Sequence, residues 1–439
     1  MFDSVSRIAG GGLDSSMEDA GRVLPEVLED GDGTARSDPE SSMGWDTLAD
    51  RIMERLQALD IGSNKAAESA VKEPNAKTIK EVYDLYMRDP SKVRAVKTVL
   101  AYETTYRLLV EVIGENTPVH RVTRETCRDV METLRALPVN ATQRFPKLSV
   151  REIAAHAKVG GIKPTLSAAT VNGYMNKLAG LLNWAVKEGL LPRNPAAGLR
   201  VADAINRKDK RLPFSGDQLR CIFRAPLYVG CRDDENGYNV PGDARPRRGR
   251  FWVPLIGLFS GMRLNEICQM NTEDIQSIDG TVCFMVTAET VKGVDDKRLK
   301  TESSNRVVPI HPQLTKLGFI EYVVQVRSRN ERKLFPELSA ARTGYYSDTF
   351  SKWFGRFLIK AGAASGNVCF HSFRHNFRDA LREARVERDI ALALGGWAGD
   401  NDDMGSESAE FYGRGYRAST LFDAISRIKY PELDITHLR

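Results

Sequence analysis

Apolar positions recur at helical spacing along most of the chain after Thr78, and the 77 residues before it carry little of that pattern. Residues 1–43 are Gly-, Ser- and Asp-rich without a sustained period, which predicts a disordered acidic tail. Trp45 to Leu59 (WDTLADRIMERLQAL) restores the spacing and predicts a short helix before a second loose stretch ending near Pro74. From Thr78, TIKEVYDLYMR sets Ile79, Val82, Tyr83 and Tyr86 on one face. Further helices are predicted over Val96 to Ile113, closed by Gly114, and over about Arg124–Ala136, ending at Pro138. The strongest amphipathic segment runs from Ser167 to Glu188, with Val171, Tyr174, Met175, Leu178, Leu182 and Ala185 on one stripe and Gly189 after the last turn. A helical bundle follows from this, with no catalytic cluster in it.

Between Asn194 and Phe214 the period is lost and Arg207, Lys208, Lys210 and Arg211 gather, the pattern of a basic linker. A second domain then opens at Ser215-Gly-Asp-Gln218, a capping-box spacing. An apolar helix is predicted from Trp252 to Phe259, ending near Gly261, and 282–287 (VCFMVT) and 306–310 (RVVPI) read as paired strands. Helical spacing returns over Phe350 to about Lys360, over Ser372 to Glu383, and at Leu421, Phe422, Ile425 and Ile428. The expected class is mainly α with a small β-sheet. Its parts are an N-terminal region over 1–74 with a short helix near 45–59, a helical domain over 75–198, a linker over 199–211 and an α+β domain over 212–439.

Composition changes this picture in two ways. The chain has 439 residues and no apolar run near the ~18 that would span a bilayer, and its first residues lack a basic stretch before an apolar core, so a soluble, cytoplasmic protein is expected. Charge is divided unevenly. Residues 1–74 hold 7 Lys+Arg against 16 Asp+Glu, which leaves 56 against 42 in the rest, a balance that suits a polyanionic partner such as nucleic acid. The six cysteines form no C-x-x-C pair and read as reduced thiols.

Histidine is scarce, with six in the chain, and two of them frame H-S-F-R-H. His371 and Arg374 are three apart and share a helix face, with His375 one position on. A zinc pair at His371 and His375 lacks the glutamate of H-E-x-x-H, and a buried histidine beside a surface arginine is the plain alternative. Upstream, SGMRLNEIC puts Arg263 at a helix start with Glu266 three residues on, where it can brace the guanidinium. RLKTESSNRVVPI carries Lys300 at the mouth of a hairpin, with Lys292 and Lys297 close by. LALGGWAG and EFYGRGY add Trp397 and Tyr412, with Tyr416 and Tyr430 beyond.

The order Arg, Lys, HxxR, Trp, Tyr resembles the tyrosine recombinases, the phage-type integrases, across roughly residues 78–435. NWAVKEGLLPRNP looks like the close of that family's core-binding domain, and GMRLNEIC, HSFRHNF and YGRGY look like its successive active-site boxes. The resemblance implies a SAM-like core-binding domain and a DNA breaking–rejoining catalytic domain that clamp duplex DNA. It implies strand exchange through a 3′-phosphotyrosyl link and a Holliday junction, in integration or excision of a mobile element, without cofactor or metal. A homotetramer on DNA is implied too, with accessory bending or directionality factors as further partners. By the same resemblance Arg263 and Arg374 hold the phosphate and Lys300 protonates the departing 5′-oxygen. His371 bonds the phosphate or assists the tyrosine proton, Trp397 donates its indole N–H or is a core residue, and Tyr412 is the nucleophile.

Arginine suits such a transition state, because its planar fork holds two oxygens and keeps its proton near neutral pH. A phenol with pKa ≈ 10 needs neighbouring cations to become reactive. The segment between Trp397 and Tyr412 departs from the family pattern, being longer and more acidic; it is expected to face away from DNA or to meet another subunit. The terminal helix commonly docks on a neighbouring protomer in the family, and packing on its own domain is the alternative. KDKR at 208–211 and Arg245, Arg247, Arg248 and Arg250 are candidates for DNA-backbone contacts, or solvated charge. Two rivals remain, a type IB topoisomerase and a DNA-binding protein on the same fold without turnover.

Overall fold

The computed structural model describes residues 76–204, 211–289, 297–299, 304–397 and 415–439. The predicted helix at 45–59, the expected disorder of the N-terminal tail, and Arg207, Lys208, Lys210, Lys300 and Tyr412 all lie outside the described residues.

Five longer helices build the first half: α1 (Ile79–Arg88), α2 (Val96–Ile113), α3 (Arg124–Ala136), α4 (Val150–Val159) and α5 (Ala168–Lys187). Local chemistry starts each of the well-capped ones. Thr78 with Glu81 and Ser149 with Glu152 form reciprocal capping boxes, and Thr123 and Ser167 accept from the third backbone N–H of their helices. The predicted stripes face inward: Ile79, Val82, Leu108, Val130, Met175, Leu178 and Leu182 close one core that draws its residues from 79 to 199. Helix α4 was not expected, because its four buried positions, two of them alanine, make a weak stripe.

A second core takes its residues from 214 to 438. Its elements are α6 (Gly216–Phe223), α7 (Gly249–Ser260), α8 (Leu264–Cys268), strands β1 (Ile275–Ile278), β2 (Thr281–Val286) and β3 (Arg306–Pro309), then α9 (Phe319–Ser328), α10 (Ser347–Lys360), α11 (Ser372–Glu383), α12 (Arg388–Gly395) and α13 (Ala418–Ser426). Helix α7 is buried almost all round, which makes it the central post, and it packs most extensively against α11. The sheet is antiparallel in the order β1-β2-β3, and its register aligns Ile275, Phe284 and Val308 in one row against the core. Strand β1 was missed by the sequence reading, although Asp279-Gly280, both at positive φ, supplies the two-residue hairpin signal.

The terminal helix packs on its own domain, the alternative that the sequence left open. Leu421, Ala424, Ile425 and Ile428 are buried in their own domain, and α13 lies against β2, β3 and α12. Beyond it, the Tyr430 hydroxyl donates to the Leu258 carbonyl and Leu438 is buried. The apolar face expected to meet a neighbour is thus covered in cis, because the sheet needs that face to close its outer side.

Candidate functional site

Two turns create the site. Helix α7 ends at Gly261, whose φ of +62° is the left-handed conformation that favours glycine. A Cβ there would lie 2.3 Å from Cδ1 of Phe377, so α11 packs directly on the turn. Two residues later Arg263 stands at the N-terminus of α8, and its backbone N–H donates to Glu266 Oε2 at 2.9 Å. The second turn is Gly396, also left-handed at +58°, which ends α12 and aims its carbonyl back into the site.

That carbonyl is the meeting point. Arg263 Nη2 donates to it at 3.2 Å and Arg374 Nη2 at 3.4 Å, while Arg374 Nη1 donates to the Gly261 carbonyl at 2.7 Å. Two guanidiniums far apart in the chain therefore converge on one acceptor. Arg263 also donates from Nη1 to Glu266 Oε1 at 2.7 Å and to the Ser304 hydroxyl at 3.0 Å. The expected brace from Glu266 is present in this geometry.

The site holds a third arginine that the sequence reading did not select. Arg306, on β3, donates from Nη2 to Glu266 Oε2 at 2.9 Å, from Nε to the Leu394 carbonyl at 3.0 Å and from Nη1 to the Ser304 carbonyl at 3.0 Å. Strand alternation was the available signal. Arg306, Val308 and Ile310 share one face, and the two aliphatic members are fully buried, so the arginine must face inward as well.

Electrostatics follow from three cations around one carboxylate. Burial raises the Glu266 carboxyl, but the Arg306 charge and the hydrogen bonds from Arg306 and Arg263 outweigh it, so the net shift is downward and the group is ionised. Burial, reinforced by the Arg263 and Arg306 charges, pulls Arg374 down to about 9. His371 immediately precedes α11, and burial, then the charges of Arg374, His375, Arg211 and Arg263, lowers it to about 4, so it is neutral at pH 7. An excess of buried positive charge with neutral imidazole beside it is a receptor for an anion.

Trp397 packs between the site and the core. Its ring lies under the guanidinium of Arg374 at 4.6 Å and of Arg378 at 5.3 Å, and it packs on the core beside Phe377. Of the hairpin lysines, Lys297 is buried and paired with Asp274 at 2.8 Å. Tyr430 is half-buried and its hydroxyl donates to the Leu258 carbonyl, whereas Tyr416 is exposed.

The candidate backbone contacts divide. Arg248 pairs with Asp234 and Arg250 donates to the Asp234 and Glu235 carbonyls, which closes the 231–250 segment on itself, while Arg247 donates to the Leu317 and Leu438 carbonyls and ties the segment to the body. Arg211 and Arg245 are exposed, and Arg211 lies near enough to His371 and His375 to bear on both. Among the described residues no group of three His, Cys, Asp or Glu is placed to hold a metal ion, and no helix is long and apolar enough to cross a membrane.

Comparison with known proteins adds the following. Residues 253–402 match the model of the phage integrase family. Among solved structures, the Tn1549 transposon integrase in complex with transposon right end DNA is 17% identical with a TM-score of 0.49, covering 74% of this chain and 92% of that one. A lambda integrase dimer bound to a COC′ core site is 18% identical with a TM-score of 0.48, covering 81% and 87%. A lambda integrase tetramer bound to a Holliday junction is 17% identical with a TM-score of 0.48, covering 79% and 88%. No curated protein matches the chain.

Proposed function

We propose, from the match of residues 253–402 to the phage integrase family model, that the chain is a site-specific DNA recombinase that integrates or excises a mobile element. The observation that carries this reading is the convergence of Arg263 and Arg374 on the Gly396 carbonyl. A carbonyl oxygen held by two guanidiniums marks the place where a non-bridging phosphate oxygen binds more strongly, because it brings full charge to the same donors.

In the proposed reaction the Tyr412 phenolic oxygen attacks the scissile phosphorus in line. The P–O bond to the 5′-oxygen breaks, and that oxygen leaves as a hydroxyl after taking a proton from Lys300. Arg263 and Arg374 face the non-bridging oxygens as negative charge accumulates. His371, neutral at pH 7, donates to the phosphate through one ring nitrogen or accepts the phenolic proton through the other. Trp397 acts on this arrangement by backing Arg374. The phosphotyrosyl link keeps the bond energy, so attack by a partner strand's 5′-hydroxyl reseals DNA without nucleotide hydrolysis.

Arg211 and Arg245, both exposed, remain candidates for contacts with flanking phosphates, whereas Arg248 is exposed but paired with Asp234. Pairwise exchange through a Holliday junction calls for four protomers on two duplexes, an assembly taken from the family resemblance. The helical core built from residues 79–199 is proposed as the core-binding domain, and that built from 214–438 as the catalytic domain.

The test is trapping on a nicked suicide duplex made from the DNA that flanks the coding sequence. Wild-type protein is expected to form a covalent adduct stable to denaturant, and Tyr412→Phe to bind the duplex without forming it. Adduct that survives in Tyr412→Phe and vanishes in Tyr416→Phe moves the nucleophile. Equal relaxation of any supercoiled plasmid, without recombination between paired sites, makes the protein a topoisomerase instead.

A further inference from the structure

Resting on the recombinase reading above, we infer that Arg306 is a positioning residue of the site, which fixes the Glu266 carboxylate and, through it, the Arg263 guanidinium beneath the bound phosphate. Nothing in the catalytic set drawn from the motifs includes it. Arg306 is 6% exposed and Glu266 4%, whereas Arg263 is 26% exposed and is the member of the chain that reaches the open side.

The geometry runs in one direction, from the sheet to the substrate. Strand β3 is held in the sheet by its pairing with β2, in which Arg306 itself stands opposite Val286. Its guanidinium gives Nε to the Leu394 carbonyl and Nη1 to the Ser304 carbonyl and directs Nη2 at Glu266 Oε2. The other carboxylate oxygen takes Arg263 Nη1. Each carboxylate oxygen thus has its own arginine, and the torsion of the Glu266 side chain is set from both ends. Ser304 joins the same chain twice, its carbonyl accepting from Arg306 and its hydroxyl from Arg263.

Arg306 also supports the acceptor turn. A Cβ on Gly396 would lie 3.0 Å from Arg306 Nη1, so the guanidinium rests against the residue whose carbonyl both phosphate-binding arginines share. Loss of Arg306 removes the floor of that turn and leaves a buried carboxylate with one cation fewer.

Three charged groups bear on Glu266: Arg263 from its own turn, Arg306 from β3 and Arg374 from α11. With Arg306 replaced by a neutral group, burial dominates and Glu266 takes up a proton at higher pH than in the wild type. A protonated Glu266 no longer holds Arg263 by charge. The defect therefore depends on pH, which a space-filling role does not produce.

Arg306→Gln, Arg306→Lys, Glu266→Gln and the Arg306→Gln/Glu266→Gln pair are compared with wild type for the rate of adduct formation on the nicked flanking duplex, from mildly acid to mildly alkaline pH. Arg306→Gln is expected to lose on the order of 100-fold near neutrality, with duplex affinity little changed, and to recover as pH rises. Arg306→Lys keeps the charge and follows the wild-type acid limb at a reduced rate. Glu266→Gln is slow without that limb, and adding Arg306→Gln to it costs far less than in the wild type. A loss in Arg306→Gln that is equal at every pH, or that adds fully to Glu266→Gln, overturns the inference. Wild-type protein that forms no adduct overturns the recombinase reading instead, and melting temperature against pH, which needs no DNA, still decides for Arg306. There the difference between Arg306→Gln and wild type is expected to widen as pH rises and the buried carboxylate ionises; a constant difference overturns the inference.

Discussion

Arg374 shows how much one side chain can carry. It is 4% exposed, donates to two turn carbonyls, lies on the Trp397 ring and is pulled down to about 9 by burial and its cationic neighbours. A phosphate relieves that crowding, so Arg374→Ala is expected to reduce adduct formation by about 10²–10³-fold in the trapping assay while gel-shift affinity stays near wild type. Arg374→Lys is expected to recover little, since an ammonium cannot span both carbonyls and stack on the indole. His371 gives a pH prediction. Its folded value of about 4 lies below the ordinary histidine value of 6.5, so the unfolded chain binds more protons between the two. The stability this represents is complete above about pH 6.5 and is lost as pH falls through about 4. His371→Asn is expected to flatten that part of a plot of urea midpoint against pH. His311, also lowered to about 4 by burial, keeps its own share of the slope in that variant.

At the scale of elements, the site depends on how α7, α8, α11 and α12 end. Gly261 must be left-handed for α8 to start where it does, and Phe377 occupies the space a side chain would take. Gly261→Ala is expected to cost at least ~2 kcal/mol in urea unfolding, from left-handed strain and overpacking together. The shift of the Gly261 carbonyl also removes an acceptor of Arg374, so cleavage should fall further than stability alone explains. Much of this level was legible from residue order. The Ser372 to Glu383 helix has the predicted bounds, and Val96 to Ile113 closes at Gly114 as expected. The misses have physical causes. The β1 strand is four residues long, with two exposed in its middle, so alternation had little length in which to register. Arg306 was passed over because a charged residue at a strand edge usually reads as solvated, and only the burial of Val308 and Ile310 beside it shows which way that face turns.

For the whole molecule, residues 75–439 form one compact unit, yet the apolar cores are two separate sets, one from 79–199 and one from 214–438. Between them Lys97 reaches Asp348 at 3.0 Å and lies over the Tyr345 ring, a largely exposed contact. Calorimetry is expected to resolve two transitions, because neither core needs the other's side chains. Lys97→Ala should move either transition by no more than ~1 kcal/mol. Assembly is constrained as well. With the apolar face of α13 covered by its own sheet, the subunits of the proposed assembly on paired sites would either meet through another surface or release this segment. Hydrogen exchange over 418–438, with and without paired duplexes, separates the two: added protection without prior opening supports another surface, and faster exchange on assembly supports release.

The residue order alone pointed to most of the helices, though not to α4, α9 or α12, to the presence of a small sheet and to most of the candidate chemistry, because periodicity, caps and short motifs are local and survive without a folded background. The tertiary structure decided which cations share an acceptor, that Lys297 is spent on Asp274 and Tyr430 on Leu258, that three arginines of the 243–250 loop hold the protein to itself, and that Arg306 belongs to the site. These depend on distance and burial between segments far apart in the chain, and a guanidinium becomes a receptor for phosphate or a structural brace according to what the fold has placed beside it.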